Sequence, residues 1–189
     1  VFRLEVDREV SLVLAEERHA PALAALGSRN RARLAEVEPW AEAEDAFRVE
    51  TTAAYLRRAL EGFASGQQVQ TIIALDAGAL FVGSCGLRID PHRHVADVGY
   101  WIDADFEGRG LVTRAAAALT VVAFEEIGVE RVELRTAPTN RRSQAVAARL
   151  GFRLEGRQRR ALRFRDRAED LLVFVGHPGA ADVHRWIGR

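Results

Sequence analysis

The stretch DVGYWIDADFEGRGLVT, residues 97–113, decides how the rest of the chain is read. Val98, Tyr100 and Ile102 alternate with Gly99, Trp101 and Asp103, the period-two pattern of a strand. An acidic turn leads into Gly108-Arg109-Gly110, and the alanine-rich run that follows has the composition of a helix. Strand, glycine turn and helix N-terminus in that order make a place for an anion. Successive backbone N–H groups point outward there, and the helix dipole adds partial positive charge. The expected ligand is phosphorylated, and its identity depends on what surrounds the turn.

Upstream, residues 10–15 alternate as a first strand, preceded by an extended segment at 1–6. Helical spacing runs over 16–26, with Gly27 as a natural stop and Ser28 as cap of a second short helix to about 37. A longer helix is predicted from Thr51 or Thr52 to about 65, closed by Gly66. Strands follow at 67–75 and 79–89 around the hairpin turn Asp76-Ala77-Gly78. Gly83 and Gly86 mark a bulge or a close backbone approach in the second of these.

Downstream of the glycine turn the spacing predicts a helix over 111–127, a strand over 131–137 and a short helix over 141–150 with Gly151 as its C-cap. A final antiparallel pair over 152–162 and 164–175 and a tail with a short helix near Trp186 complete the chain. Three hairpin-linked strands, then helix, strand, helix and two strands, predict an α+β fold. Its sheet is mixed and mostly antiparallel, of about seven strands flanked by helices. No linker or repeat divides it, so residues 1–189 are expected to form one domain.

Composition narrows the function. All 27 basic residues are Arg, which removes the P-loop lysine, a Schiff-base lysine and the lysine of protein kinases. Net charge is +0, so nothing global asks for nucleic acid or an anionic membrane. No apolar run approaches a membrane span, and the lone Cys85 suits a reducing cytoplasm, the expected location. There is no Met, so Val1 is not expected to be the translated start. A dinucleotide reading needs G-x-G-x-x-G after the first strand of a βαβ unit; here the third glycine position is Thr113 and antiparallel strands come first.

With these segments in place, the chain resembles the GNAT acyltransferase superfamily, and within it the RimJ/RimL-like protein N-terminal acetyltransferases. The resemblance is carried by VGYWIDADFEGRGLVT at 98–113, AFEEIGVERVELRT at 123–136, N-x-x-S at Asn140 to Ser143 and LGFRLEGRQR at 150–159. Shorter echoes are NRARL at 30–34 and DLLVF at 170–174.

The resemblance implies an acetyl-CoA-dependent N-acetyltransferase with no metal, acting on a primary amine. The most similar subfamily implies a protein N-terminus as acceptor, a ribosomal protein among the candidates, and often a homodimer. Alternatives are a small amine such as a polyamine or aminoglycoside, and a CoA-binding sensor that has lost catalysis. The family's pyrophosphate loop falls on residues 107–112. Backbone N–H groups of Gly108, Arg109, Gly110, Leu111, Val112 and Thr113 would hold phosphate, with Trp101 and Ile102 along the pantetheine arm. Glu107 and Val112 depart from the family pattern, and Glu107 beside a pyrophosphate would repel it unless it points away.

By the same resemblance Asn140 contacts the pantetheine arm and Ser143 protonates the leaving thiolate, although Asn and Ser there are also ordinary capping residues. The family's catalytic Glu position falls near Leu162, so that role does not transfer. Asp97 is the first candidate for general base, with Glu133 and the pair His92 and His94 behind it. Cys85 reads as core packing rather than as a nucleophile. Ten Arg between 141 and 167 border the proposed cofactor loop, as a solvated face or as a binding surface. Trp40, Phe47 and Tyr55 line the acceptor side or pack the core.

Overall fold

The computed structural model describes residues 3–179 and 181–188. One mixed sheet of eight strands runs through it: β1 (Arg3–Glu5), β2 (Ser11–Leu14), β3 (Gln68–Leu75), β4 (Leu80–Asp90), β5 (Val95–Ile102), β6 (Arg131–Thr136), β7 (Arg153–Arg163) and β8 (Ala168–Gly176). Their spatial order is β1-β2-β3-β4-β5-β6-β8-β7. Every pairing is antiparallel except β5 with β6. The strand beyond the expected seven is β1, where part of the predicted extended segment pairs with β2. Residues 1 and 2 of that segment, and 180 and 189 of the tail, lie outside the described residues.

Among the described residues five α-helices cover the sheet: α1 (Ala20–Arg29), α2 (Arg31–Ala35), α3 (Val49–Ala64), α4 (Leu111–Val121) and α5 (Arg141–Arg149). The largest cluster of the core joins α4, α5 and the strands, with Ala96, Val98 and Ile102 of β5 against Leu111, Ala115 and Leu119 of α4. The opposite face carries α1 and α3, where Leu23 and Leu56 pack on Ile72 and Trp101. Strand alternation explains the division: even-numbered residues of β5 face α4, and Trp101 faces the other way.

Several boundaries differ from expectation: Ser28 lies inside α1 and Asn30 is the N-cap of α2, α3 starts at Val49 rather than Thr51 or Thr52, and two further differences have clear reasons. Gly27 does not end its helix, which continues to Arg29. A side chain at Gly27 would collide with the Phe47 ring, so this glycine serves close packing rather than a left-handed cap. α4 ends at Val121, and a π-helical turn, Val122–Ile127, extends it to Gly128, whose φ of 78° stops it. Gly83 and Gly86 do mark close approaches, to the backbone of Trp101 and Val69, and the β3–β4 register shifts beside Gly83.

The feature that positions the site is a fork in the sheet. β5 and β6 pair over three rungs only, Val95↔Arg131, Ala96↔Val132 and Asp97↔Glu133. Beyond Asp97, β5 continues along β4 to Ile102, while β6 continues along β8 to Thr136. The two strands diverge, and the space between them opens toward α4 and α5.

Candidate active site

A cleft of about 890 Å³ is lined by the end of β5 beyond the fork, the turn into α4, and α5. Trp101, Ile102, the whole run 108–113, Asn140 and Ser143 all line it. The sequence-predicted cofactor residues, spread over 43 positions from 101 to 143, therefore converge on one cavity.

The turn end is built from backbone geometry. Gly108 and Gly110 have φ of 75° and 72°, a left-handed conformation that a Cβ would disfavour by about 1–2 kcal/mol. Gly110 is the N-cap of α4, and no side chain caps the helix. The first-turn N–H groups thus meet the cleft with the positive end of the helix dipole behind them. This open, uncapped turn fits the anionic group that the sequence anticipates.

Glu107 is neutralised rather than repulsive. Its Oε1 accepts from Arg33 Nη1 at 2.5 Å and from Arg142 Nη1 at 3.0 Å. Arg33 also donates to the Ile102 carbonyl. Beside it, buried Asn30 donates to Asp103 Oδ1 at 2.9 Å and accepts from the Ala104 N–H at 3.0 Å. The NRARL segment therefore pins α2 to the end of β5 and to the acidic turn. On the other flank, Arg114 of α4 bonds Asp7 at 2.7 Å and Glu9 at 2.8 Å. Burial pushes the Asp7 carboxyl up, but the Val10 N–H and Arg114 outweigh it and hold the group below the usual range.

At the middle of the cleft, Asn140 caps α5 by accepting from the Ser143 N–H at 3.1 Å. The capping role and the cleft-lining position coexist in the same residue. Tyr100 also lines the cleft, and its hydroxyl is buried without a well-formed hydrogen bond. Burial pushes this phenol well up, with the neighbouring Ser143 hydroxyl acting in the opposite sense. Tyr100 therefore stays protonated at neutral pH, an O–H group beside the Ser143 hydroxyl. In the sequence Tyr100 reads only as a strand residue. Its sole signal was the alternation that places it on the α5 side.

Asp97 is not among the lining residues; it sits at the last rung of the fork. Its Oδ1 is 3.0 Å from Arg135 Nε, although this buried oxygen lacks a hydrogen bond of good geometry. Burial pushes the carboxyl up, Arg135 pulls it back, and Glu133 pushes it up again. Glu133 is itself buried and held by Arg135 at 2.6 Å and Arg131 at 2.9 Å. Gly99, with open space where a side chain would be, lies between Asp97 and Trp101 on their shared face.

The remaining candidates separate. Among the described residues no group of His, Cys, Asp or Glu is arranged to hold a metal ion. Cys85 is fully buried, and desolvation pushes its thiol up to about 12, as core packing requires. Leu162 pairs with Glu169, whose carboxylate is held low by Arg167 and Thr139. Of the arginine run, Arg141, Arg142 and Arg149 line the cleft, Arg157 pairs with Asp170 at 2.6 Å, and Arg165 and Arg167 dock on Glu42 and Glu36. Phe47 is core, while Trp40 and Tyr55 remain exposed. Among the described residues no helix is long and apolar enough to cross a membrane.

Comparison with known proteins agrees with this geometry. The model of the acetyltransferase (GNAT) domain matches residues 10–153. The Bacillus subtilis protein named "Putative ribosomal N-acetyltransferase YdaF" is 33% identical over 182 residues, covering 92% of this chain and 94% of that protein. Mycobacterium smegmatis RimJ, solved in complex with CoA-disulfide, superposes with a TM-score of 0.85 at 25% identity, covering 98% of this chain and 91% of that one. RimL, an acetyltransferase of ribosomal L7/L12 solved with coenzyme A, gives 0.88 at 24% identity over 95% of this chain and 99% of that one, which shows the shared fold.

Proposed function

This chain belongs to the GNAT acetyltransferase family, and we propose that it transfers acetyl from acetyl-CoA to the α-amine of a protein N-terminus, a ribosomal protein among the candidates. The observation that carries this reading is the fork itself. A cleft opened by the divergence of β5 from β6 has an uncapped glycine turn at one end and two hydroxyl donors in its wall.

Acetyl-CoA, when bound, supplies an activated acetyl thioester. The N–H groups of residues 108–113 would receive its pyrophosphate, with Asn140, Trp101 and Ile102 along the pantetheine arm. The β5 edge beyond Asp97 has left its β6 partner, so it is available to polarise a carbonyl as an oxyanion hole does. Ser143 and Tyr100 hold protons at the cleft wall, suited to stabilising a departing thiolate. Asp97 is the proton acceptor through a water relay, its affinity for a proton raised by burial at the fork. An α-amine with an ordinary value of about 8 is already partly neutral, so the base has modest work to do. The whole chain acts as one domain in this reading, and in the cytoplasm, where acetyl-CoA and nascent ribosomal proteins meet.

Steady-state CoA release tests the reading. Seryl-initiated and alanyl-initiated peptides should turn over, and polyamines and aminoglycosides should be much poorer acceptors. Preference for a polyamine would redirect the acceptor class. Tight acetyl-CoA binding with no turnover on any amine would identify a sensor instead. The neutralised Glu107 weakens the sensor reading, because the loop's departure from the family pattern is compensated by Arg33 and Arg142.

A further inference from the structure

The lining of the cleft carries both signs of charge. Its arginines, Arg33, Arg109, Arg141, Arg142 and Arg149, belong to the turn end and to α5. Its carboxylates are Glu36, Glu38 and Glu107. Glu107 is consumed by two arginines, and Glu36 is exposed. Glu38 is different: it is half-buried and lines the cleft together with Tyr100 and Trp101. Among the described residues no arginine lies within ion-pair distance of it, and its hydrogen-bond partner is the Trp40 indole, which donates to Oε2 at 3.0 Å.

The local chain holds Glu38 in place. It precedes Pro39, which favours extended backbone, and its φ of −125° and ψ of 104° comply. The Trp40 ring, although 45% exposed, meets the buried Phe47 ring edge-on at 5.5 Å, and Arg31 covers Phe47 at 5.1 Å. A carboxylate is thus fixed by a braced aromatic group, with one oxygen left over and an aromatic wall at Trp101. Burial pushes the Glu38 carboxyl up, while the Trp40 bond and the more distant Arg88 pull it down. A desolvated carboxylate without a cation is costly, and the structure offers it none at close range.

We propose that Glu38 is the acceptor-recognition residue of this enzyme, its carboxylate taking the ammonium form of the incoming primary amine in the part of the cleft lined by Trp101, before that amine gives one proton to the Asp97 water relay and attacks as the neutral form. This rests on the N-acetyltransferase reading and names the specificity-determining group of the same cleft. A charge-assisted hydrogen bond and a nearby π-face are the chemistry that selects a primary ammonium. Both a protein N-terminus and a polyamine present that group, and the acceptors compared below separate them.

The test uses the full chain as wild type, Glu38→Gln and Glu38→Asp. Steady-state CoA release is measured with a seryl-initiated hexapeptide, with spermidine, and with the same peptide bearing an aminooxyacetyl cap, which is uncharged at neutral pH. Glu38→Gln should raise KM for the preferred charged acceptor about 30-fold while changing kcat less than about threefold. Acetyl-CoA affinity should be unchanged, and Glu38→Asp should recover part of the loss. With the uncharged peptide, wild type and Glu38→Gln should differ by less than about threefold. A merely structural role would lower both acceptors alike, and that result, or an unchanged KM for the charged one, overturns the assignment. Absence of wild-type turnover on every acceptor would overturn the transferase reading and this proposal with it. Robust wild-type turnover with an indifferent Glu38→Gln would overturn this proposal alone.

Discussion

The two ends of the cleft are built by different means. The turn end comes from one continuous stretch: the end of β5, two left-handed glycines and the first turn of α4. Its binding groups are backbone N–H donors, and side chains matter there chiefly by staying out of the way. The acceptor end is assembled from three segments far apart in sequence. Residues 36–42 carry Glu38 and Trp40, β5 carries Trp101, and the β7–β8 turn reaches across through the Arg165 N–H to Glu42 at 2.7 Å and Arg167 to the Glu36 carbonyl at 2.8 Å. Variation is tolerated differently in the two. A backbone-made site survives replacement of Glu107 or Val112 so long as the turn keeps its shape. A site made from side chains changes its acceptor when a single one changes.

The largest expected effect is at the turn. Gly110→Asp puts a Cβ on a residue with φ of 72° and a carboxylate where phosphate is expected, and should weaken acetyl-CoA binding by about 100-fold or more in calorimetric titration. Ser143→Ala should come next, with kcat lower by about 10–100-fold and acetyl-CoA affinity nearly unchanged. Unchanged turnover would remove Ser143 from the chemistry and leave Tyr100 as the donor. Glu107→Gln should shift acetyl-CoA affinity by less than about threefold, because its charge is already spent on Arg33 and Arg142. A tightening of about tenfold or more would mean that Glu107 repels the phosphates after all.

A further effect concerns rigidity rather than binding. Asp7→Asn breaks the tie between the β1–β2 turn and α4 and should cost about 1–3 kcal/mol in denaturant unfolding at neutral pH. The folded Asp7 carboxyl titrates below its usual value, so its contribution is present above the unfolded value of about 3.9. That contribution is lost as the pH falls from there through the folded value. The difference between variant and wild type should therefore shrink on acidification below about pH 4, and a constant difference would assign the loss to packing instead.

The order of strands and helices was legible in the sequence because strand alternation and glycine stops mark most boundaries. Gly66, Gly128 and Gly151 all adopt the positive φ that such stops imply. Gly27 misled because a glycine that permits close helix packing looks the same in sequence as one that ends a helix. β1 was legible only as an extended segment, since pairing across a tight turn leaves little pattern in three residues. Within the site, the turn, Asn140 and Ser143 were readable because their contribution is local geometry. Glu38, Tyr100 and the Arg33–Glu107–Arg142 cluster were not, because each acquires meaning only when distant segments meet. Asp97 was readable as an acid at the head of a strand. Its place at the last rung of the fork, tied to Arg135, is a property of the β5–β6 pairing.

Cofactor phosphates at residues 108–113 and acceptor ammonium at Glu38 are proposed to occupy separate parts of one cleft. Backbone and indole amide NMR of the 20.9 kDa chain, titrated first with acetyl-CoA and then with a seryl-initiated peptide and CoA, tests this directly. Acetyl-CoA should move the amides of residues 108–113 most. The Trp40 indole N–H, bonded to Glu38, should respond only when the peptide is added. Cofactor shifts centred on the exposed arginines of β7, with residues 108–113 unmoved, would contradict it.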